Sequence, residues 1–361
     1  MKSKEEVVMI TGLLIILLLV FILPFTVKFV EHNLEYFLFI MGLAAIVIAG
    51  VFSPDLILEI LENPLLYYIT AAVLIAGLLF KLLVFKMRKA VHVTLKHIPF
   101  GVFVFCVVVI LGLLSSLITA IIASLVLVEI IHALTIKHTE KIKFAVVACF
   151  SIGLGAAMTP IGEPLSTIVV SRLDVDFWYL ADKLGPYIIP GVLLLGIFGA
   201  FFIKYEKIKG LKTGLAEEKE FLQEEETELQ KEEKIHEVFV RAFKIFVFIF
   251  ALEMLGSGFK PLIDSYVVQL NSMLLFWINM VSAILDNATL AAAEISPSMS
   301  AIQVKSILMG LLISGGMLIP GNIPNIVSAG KLKIKSREWA VIGVPIGLVL
   351  MAAYFVIIFI I

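Results

Sequence analysis

One acid and two polar neighbours lie in a stretch of the sequence that is otherwise apolar. Asp286, Asn287 and Thr289 belong to the segment SAILDNATLAAAE, which closely follows the uncharged run SMLLFWINMV. Carboxylate, amide and hydroxyl oxygens are the ligands that hard cations prefer. Burial also disfavours the charged form of a carboxyl group, which makes protonation easier. A single buried acid can therefore hold either a proton or a small cation, and this competition is sufficient for exchange.

The composition around these residues indicates a membrane protein. The chain has 361 residues, of which 61% are hydrophobic and only 16% are charged, far more apolar than a soluble domain. A helix needs about 20 apolar residues to cross a bilayer. We expect crossing helices at 7–25, 35–52, 64–82, 143–171, 185–203, 238–257, 301–331 and 338–361. The sequence thus predicts an all-α polytopic protein of the plasma or inner cell membrane, with the lipid bilayer as its surroundings.

Two further apolar stretches, 98–136 and 272–300, are each interrupted by polar residues. These residues are Ser115, Ser116 and Thr119 in the first stretch and Asp286, Asn287 and Thr289 in the second. Irregular backbone at membrane depth is tolerated only where protein or water surrounds it. We therefore expect two re-entrant hairpins whose polar tips reach a shared cavity.

A Gly- and Pro-containing segment follows each hairpin, and the two segments resemble each other. GAAMTPIGEPLSTIVVSRL (155–173) and GGMLIPGNIPNIVSAGKL (315–332) both contain Gly and Met and then Pro-x-x-x-Pro, and one gap aligns them. Proline removes a backbone donor and clashes with the preceding turn, so both helices should break. The breaking residues are Pro160, Gly162 and Pro164 in the first segment and Pro320, Gly321 and Pro324 in the second. Paired interrupted helices in two halves are a sequence pointer to a transporter's binding site.

The repeated pattern divides the chain. We predict an N-terminal span (1–34), a first repeat (35–203) with hairpin 98–136 and broken helix 143–171, and a second repeat (238–361) with hairpin 272–300 and broken helix 301–331. A charged cytoplasmic connector (204–237) joins the two repeats. Its Leu215, Leu222 and Leu229 are spaced for an amphipathic helix, which would serve either as a dimer or docking contact or as a solvated tether.

Lys and Arg in short loops favour the cytoplasmic side. Placing the basic segments 81–97 and 331–337 there makes the first hairpin enter from the cytoplasm and the second from outside. The two repeats would then have inverted topology, with both tips and both breaks meeting near mid-depth.

Other polar residues of the apolar segments have two interpretations each. Glu163 lies between the breaking prolines and would be a cation ligand, a proton carrier, or simply a helix cap worth about 0.3–1 kcal/mol. Asn322 and Asn325 at the second break would supply further oxygens. Glu253, deep in the span 238–257, is either a proton relay or a structural partner of another helix.

The hairpin followed by a broken helix, present twice in inverted orientation, resembles the ion transporter superfamily. DNATLAAA (286–293) is similar to the Asp-Asn hairpin motif of NhaD-type sodium/proton antiporters. TPIGEPLSTIVVSRL and PGNIPNIVSAGKL are similar to a prokaryotic family of unknown function described as cation transporters. The resemblance implies a dimerising scaffold and a transport domain that moves as an elevator. The first tip, SSLIT, lacks the acid or Asn pair of some antiporters, and neither tip has the Ser-Asn-Thr signature of the dicarboxylate symporters.

These patterns predict a secondary active antiporter, a homodimer, that exchanges Na⁺ for H⁺ by alternating access. The expected ion-binding residues are Asp286, Asn287, Thr289, Glu163, Ser115, Ser116, Thr119, Asn322 and Asn325. The alternative is a Na⁺-coupled symporter of a carboxylate or another small anion, which acids at both sites disfavour. A channel or receptor fits an internal two-fold repeat less well. The sequence contains no enzyme or phosphate-loop motif, so we expect no enzymatic activity, no cofactor and no nucleic-acid partner, with Na⁺ and H⁺ as substrates.

Overall fold

The computed structural model of the chain describes residues 4–27, 29–30, 33–64, 66–71, 74–75, 78, 98–134, 136–205 and 235–361. These residues form helices and no β-strand, which confirms the all-α prediction for the part of the chain that is described. The basic segment 81–97 and most of the connector, with Leu215, Leu222 and Leu229, lie outside the described residues.

The α-helices before the connector are α1 (Lys4–Thr26), α2 (Leu34–Ile48), α3 (Pro54–Glu62), α4 (Phe100–Ile118), α5 (Ala120–His132), α6 (His138–Ala156), α7 (Pro164–Leu173) and α8 (Tyr179–Phe202). Those after it are α9 (Ile235–Leu262), α10 (Ser272–Ile278), α11 (Asn287–Glu294), α12 (Ala301–Gly315), α13 (Ile323–Leu332) and α14 (Ser336–Phe359). A π-helical turn, Ile263–Val267, extends α9, and 3₁₀ turns occupy Asn279–Ala283 and Ile319–Gly321.

Four of the described helices are long and apolar enough to cross a membrane, as expected of a membrane protein. They are Glu6–Pro24 within α1, and α4, α8 and α14. α8 begins before the predicted span 185–203, and its first turns contain the charged residues Asp182 and Lys183. The apolar run in the sequence therefore covers only part of this helix. α4 forms the first arm of the predicted hairpin 98–136, yet its 19 residues are long enough to cross by themselves. The depth of the turn at Thr119 therefore stays a prediction.

Both Gly- and Pro-containing segments interrupt the helical path. α6 ends at Ala156 and α7 begins at Pro164, whereas α12 ends at Gly315 and α13 begins at Ile323. Proline is compatible with the first turn of a helix because the N–H groups there have no partner within the helix. Each broken segment therefore consists of a long helix, an irregular link and a ten-residue helix.

Small residues allow α4 and α6 to lie close together. A Cβ atom on Gly155 would overlap the carbonyl oxygen of Gly112. At the same crossing, the Ser115 hydroxyl donates to the Ile152 carbonyl (3.0 Å) and the Ser151 hydroxyl donates to the Val108 carbonyl (2.8 Å). Such close helix contacts replace the hydrophobic effect as the source of association inside lipid.

The two halves pack against each other reciprocally. α7, which follows the first break, lies against α11 of the second hairpin segment, and α13, which follows the second break, lies against α5 of the first. The short helices of each half therefore contact those of the other half. This arrangement brings the residues at their N-terminal ends into the interior of the protein.

Candidate cation-binding site

Asp286 is the N-cap residue of α11. Its Oδ2 atom accepts hydrogen bonds from the Thr289 backbone N–H (2.9 Å) and the Thr289 hydroxyl (3.0 Å). A side-chain acceptor at this position satisfies a donor that the helix leaves free. Asp286 is half-buried, and Asn287 and Thr289 are buried. These two hydrogen bonds at the N-terminal end of α11 thus orient the carboxylate, which stays partly buried.

Glu163 is the N-cap residue of α7, but its side chain makes no capping hydrogen bond within the described part of the chain. The carboxyl group, buried with 4% of the residue exposed, lies beside the Asn287 side chain and close to Asp286. Even so, Glu163 Oε1 and Asn287 Nδ2 have no well-formed hydrogen bond to any described residue. The capping interpretation of this carboxylate is therefore not supported by the contacts. Glu163, from the first break, lies close enough to Asp286, from the second hairpin segment, for their charges to interact.

Two asparagines make the side-chain hydrogen bonds that hold the second break, the link between α12 and α13. Asn322 caps α13, because its Oδ1 accepts from the Asn325 backbone N–H (3.1 Å). Asn325 Nδ2 donates to the carbonyls of Gly315 (2.9 Å) and Leu318 (2.8 Å), which ties the end of α12 to the link. Asn322 Nδ2 and Asn325 Oδ1 remain buried without a hydrogen bond to the described residues. Asn325 therefore has a structural role and still presents an oxygen that accepts no hydrogen bond.

The first tip is held by backbone contacts. Thr119 caps α5 through a long hydrogen bond from the Ile122 N–H (3.4 Å), and the adjacent Ala120 N–H donates to the Gly162 carbonyl at the first break (2.8 Å). Thr119 has φ 73° and ψ 149°, a conformation that is unfavourable for a β-branched residue and costs of order 1–3 kcal/mol. A backbone hydrogen bond thus joins the first hairpin tip to the first break.

The predicted serine ligands of the first tip have other partners. The Ser115 hydroxyl donates to the Gly112 carbonyl (2.6 Å) as well as to Ile152, and the Ser116 hydroxyl donates to Leu113 (2.8 Å). The Ser116 carbonyl accepts from the Thr159 hydroxyl near the first break. Within the described residues, neither serine hydroxyl donates to Asp286 or Glu163. These contacts indicate a packing role for both serines.

Glu253 belongs to a different polar cluster. Arg172, in the last turn of α7, donates from Nη2 to the Glu253 carbonyl (3.2 Å), and its guanidinium group covers Gly256. The Glu253 side chain lies beside Ser171 and within the field of the Arg172 charge. Ser171 also accepts from Asn63 Nδ2 (2.8 Å). This setting favours the structural interpretation of Glu253, as a partner that joins α7 to α9.

Ser166 is a candidate ligand that sequence reasoning missed. It is fully buried in the first turn of α7, and its hydroxyl makes no hydrogen bond to the described residues. It follows the N-cap Glu163 by three residues, as Asn325 follows Asn322. Aligning GEPLS with GNIPN on the glycine reveals this equivalence, whereas aligning the second prolines places Ser166 opposite Ile326 and hides it.

The fold and the site together define a protein whose described residues are helical, with four helices long and apolar enough to cross a membrane. It has two broken helices and two neighbouring acids, of which Glu163 is buried and Asp286 half-buried. The chain belongs to the family described as protein of unknown function (DUF1646), which it matches over residues 10–361. A comparison with curated proteins finds no match.

Proposed function

We propose that the protein is a secondary active transporter that exchanges Na⁺ for H⁺ at a site centred on Asp286 and Glu163. The observation that carries this proposal is the proximity of two acids, one from the first break and one from the second hairpin segment, in a buried setting. Two charged carboxylates repel each other when they share a site. Either a bound cation or a proton relieves this repulsion.

The chemistry of exchange follows from that competition. Na⁺ would bind the two carboxylates together with neutral oxygens, for which Asn287, Thr289, Ser166 and Asn325 are the candidates. A cation that binds there displaces a proton, and a proton that returns displaces the cation. Exchange then requires only that the site opens to one side of the membrane at a time.

The internal repeat supports alternating access. α7 and α13 both have ten residues, begin after an extended residue and end at a left-handed one. With inverted threading, the two halves would surround a site near mid-depth and move as an elevator against a scaffold that forms a homodimer. This proposal includes re-entrant hairpins at 98–136 and 272–300 and a multi-pass location in the cell membrane, in line with the NhaD-type antiporters that the motifs resemble.

The sodium-coupled anion symporter remains the second candidate for a specific reason. The N-terminal ends of α7 and α11 meet at the site, and helix N-termini attract anions. Asp286 already accepts the Thr289 N–H at the N-terminal end of α11, however, so a carboxylate substrate would meet the protein's own acid there. This arrangement favours a cation over an anion.

Proteoliposomes with an acidic lumen and an internal pH dye test the proposal. External NaCl should alkalinise the lumen with the wild-type protein, and Asp286→Asn should abolish this response. The matched control is Asp182→Asn, which neutralises an exposed acid at the start of α8. An unchanged response in Asp286→Asn would contradict the proposal. Sodium-dependent uptake of a labelled dicarboxylate without a pH response would select the symporter instead.

A further inference from the structure

A groove between α8 and α12 lies apart from the candidate cation site. It has a volume of about 260 Å³, and its apolar wall includes Leu180, Leu184, Val304 and Leu308. Lys183 and Lys305 contribute its charged groups, and no acidic side chain is among the described residues that line it. The groove is therefore mostly apolar and carries two positive charges.

Lys305 has a fixed position in this groove. Its Nζ atom donates to the Tyr187 hydroxyl (2.8 Å) and lies 4.4 Å from the centre of the Tyr187 ring. The Tyr187 carbonyl in turn accepts from the Tyr354 hydroxyl (2.8 Å). Lys183 is exposed on the facing helix, and neither lysine forms an ion pair within the described residues. The exposed Asp182 is adjacent to Lys183 in the chain but does not line the groove.

The surroundings of the groove are those of a membrane surface. Trp178, with 62% of its surface exposed, immediately precedes α8, and its ring packs edge-on against Phe177. Exposed Trp at the start of an apolar helix is typical of the headgroup region of a bilayer. The apolar wall then extends from this level along α8 and α12, where acyl chains would lie.

We propose that this groove binds an anionic phospholipid, with the phosphate group near Lys183 and Lys305 and an acyl chain along the apolar wall. A lysine near an anionic lipid headgroup contributes about 1 kcal/mol of attraction. A soluble anion would gain the same charge contacts but would leave the apolar wall uncovered. The site is independent of cation exchange, because none of the groups assigned to exchange lines the groove.

Native mass spectrometry of the full-length protein in detergent tests this site. The protein is offered phosphatidylglycerol and phosphatidylcholine with identical acyl chains in equal amounts. We expect the wild type to retain phosphatidylglycerol preferentially, and each of Lys183→Gln and Lys305→Gln to reduce this preference by about 5-fold. Lys260 is an exposed lysine at the end of α9, outside the groove. Lys260→Gln should therefore leave the preference for phosphatidylglycerol unchanged.

The proposal would be overturned by equal retention of both lipids, by a preference that survives substitution of both lysines, or by an equal loss of preference in Lys260→Gln. Because Lys183 is exposed, its single variant tests the site without disturbing the fold. Displacement of the lipid by soluble glycerol phosphate at the same concentration would also overturn it, since the apolar wall would then contribute nothing.

Discussion

Glu163 and Asn322 occupy equivalent positions in the two halves of the protein. Each directly precedes a ten-residue helix and has an extended backbone, with φ −155° and ψ 158° for Glu163 and φ −156° and ψ 163° for Asn322. Each also follows a glycine, Gly162 or Gly321. The same local structure thus presents a carboxylate in the first half and a neutral amide in the second. The equivalence supports an internal repeat and makes the site asymmetric in charge.

If the repeat is inverted, the segments that follow α7 and α13 lie on opposite sides of the membrane. We expect Asp176→Cys to react with a membrane-impermeant maleimide in intact cells and Lys335→Cys to react only after permeabilisation, because the loop 331–337 is basic. Both positions are exposed in the structure. The background for this labelling carries Cys106→Ser and Cys149→Ser. Labelling of both cysteines from the same side would exclude inverted topology.

The capping role of Asp286 can be separated from its proposed transport role. Asp286→Asn keeps an acceptor for the Thr289 N–H group and should leave the thermal stability of the purified protein almost unchanged. Asp286→Ala removes the acceptor and should lower the free energy of unfolding by about 0.5–2 kcal/mol. Thermal unfolding in detergent distinguishes the two variants. A large loss of stability in Asp286→Asn would mean that its transport defect reports folding and not ion binding.

Much of the fold was predictable because membrane helices have a simple physical signature. Long uncharged runs predict α1, α8 and α14 as crossing helices and α4 as one arm of a hairpin, and the glycines and prolines mark where α6 and α12 end. The acid at 286 stood out because a carboxylate in an apolar segment needs a reason to be there. These inferences depend only on residue type and local sequence.

The rest depends on contacts between distant segments, which a single sequence does not contain. Ser115 and Ser116 look like ligands in the sequence, but the close approach of α4 and α6 and local helix bonds determine their partners. Ser166 looks ordinary in the sequence, and only its burial without a partner singles it out. Similarly, the pairing of Arg172 with the Glu253 segment requires α7 to lie against α9.

The two asparagines of the second break should differ in their effect on stability. Asn325→Ala leaves the Gly315 and Leu318 carbonyls without their donor, and each lost hydrogen bond to a buried group costs about 1–3 kcal/mol. Asn322→Ala removes only a helix cap, which is worth about 1 kcal/mol. In thermal unfolding experiments, the melting temperature of Asn325→Ala should therefore be well below that of Asn322→Ala. The reverse order would show that the Asn325 contacts do not hold the break.

The crossing of α4 and α6 predicts a strong size limit at Gly155. Gly155→Ala places a methyl group against the backbone of Gly112, and overpacking of this kind costs about 1–3 kcal/mol. Gly185→Ala is the matched control, since no atom lies within 4 Å of its added Cβ, and alanine has a helix propensity about 1 kcal/mol better than glycine. We expect a lower melting temperature for the first variant and an unchanged or higher one for the second. Equal behaviour of the two would contradict the close crossing.

Glu163 should determine the affinity for the cation. Glu163→Gln removes one of the two facing charges, and we expect the half-saturating Na⁺ concentration for proton exchange to rise about 10-fold or more, since 1.4 kcal/mol of lost interaction corresponds to this factor. In the wild type this concentration should fall as the pH rises, because fewer protons then compete for the same carboxylates. Glu294→Gln is the matched control: Glu294 Oε2 accepts from Asn279 Nδ2 (2.8 Å), a bond that the amide oxygen of glutamine can keep. An unchanged half-saturating concentration in Glu163→Gln, or an equal rise in Glu294→Gln, would exclude Glu163 as a cation ligand and leave Asp286 as the only acid of the site.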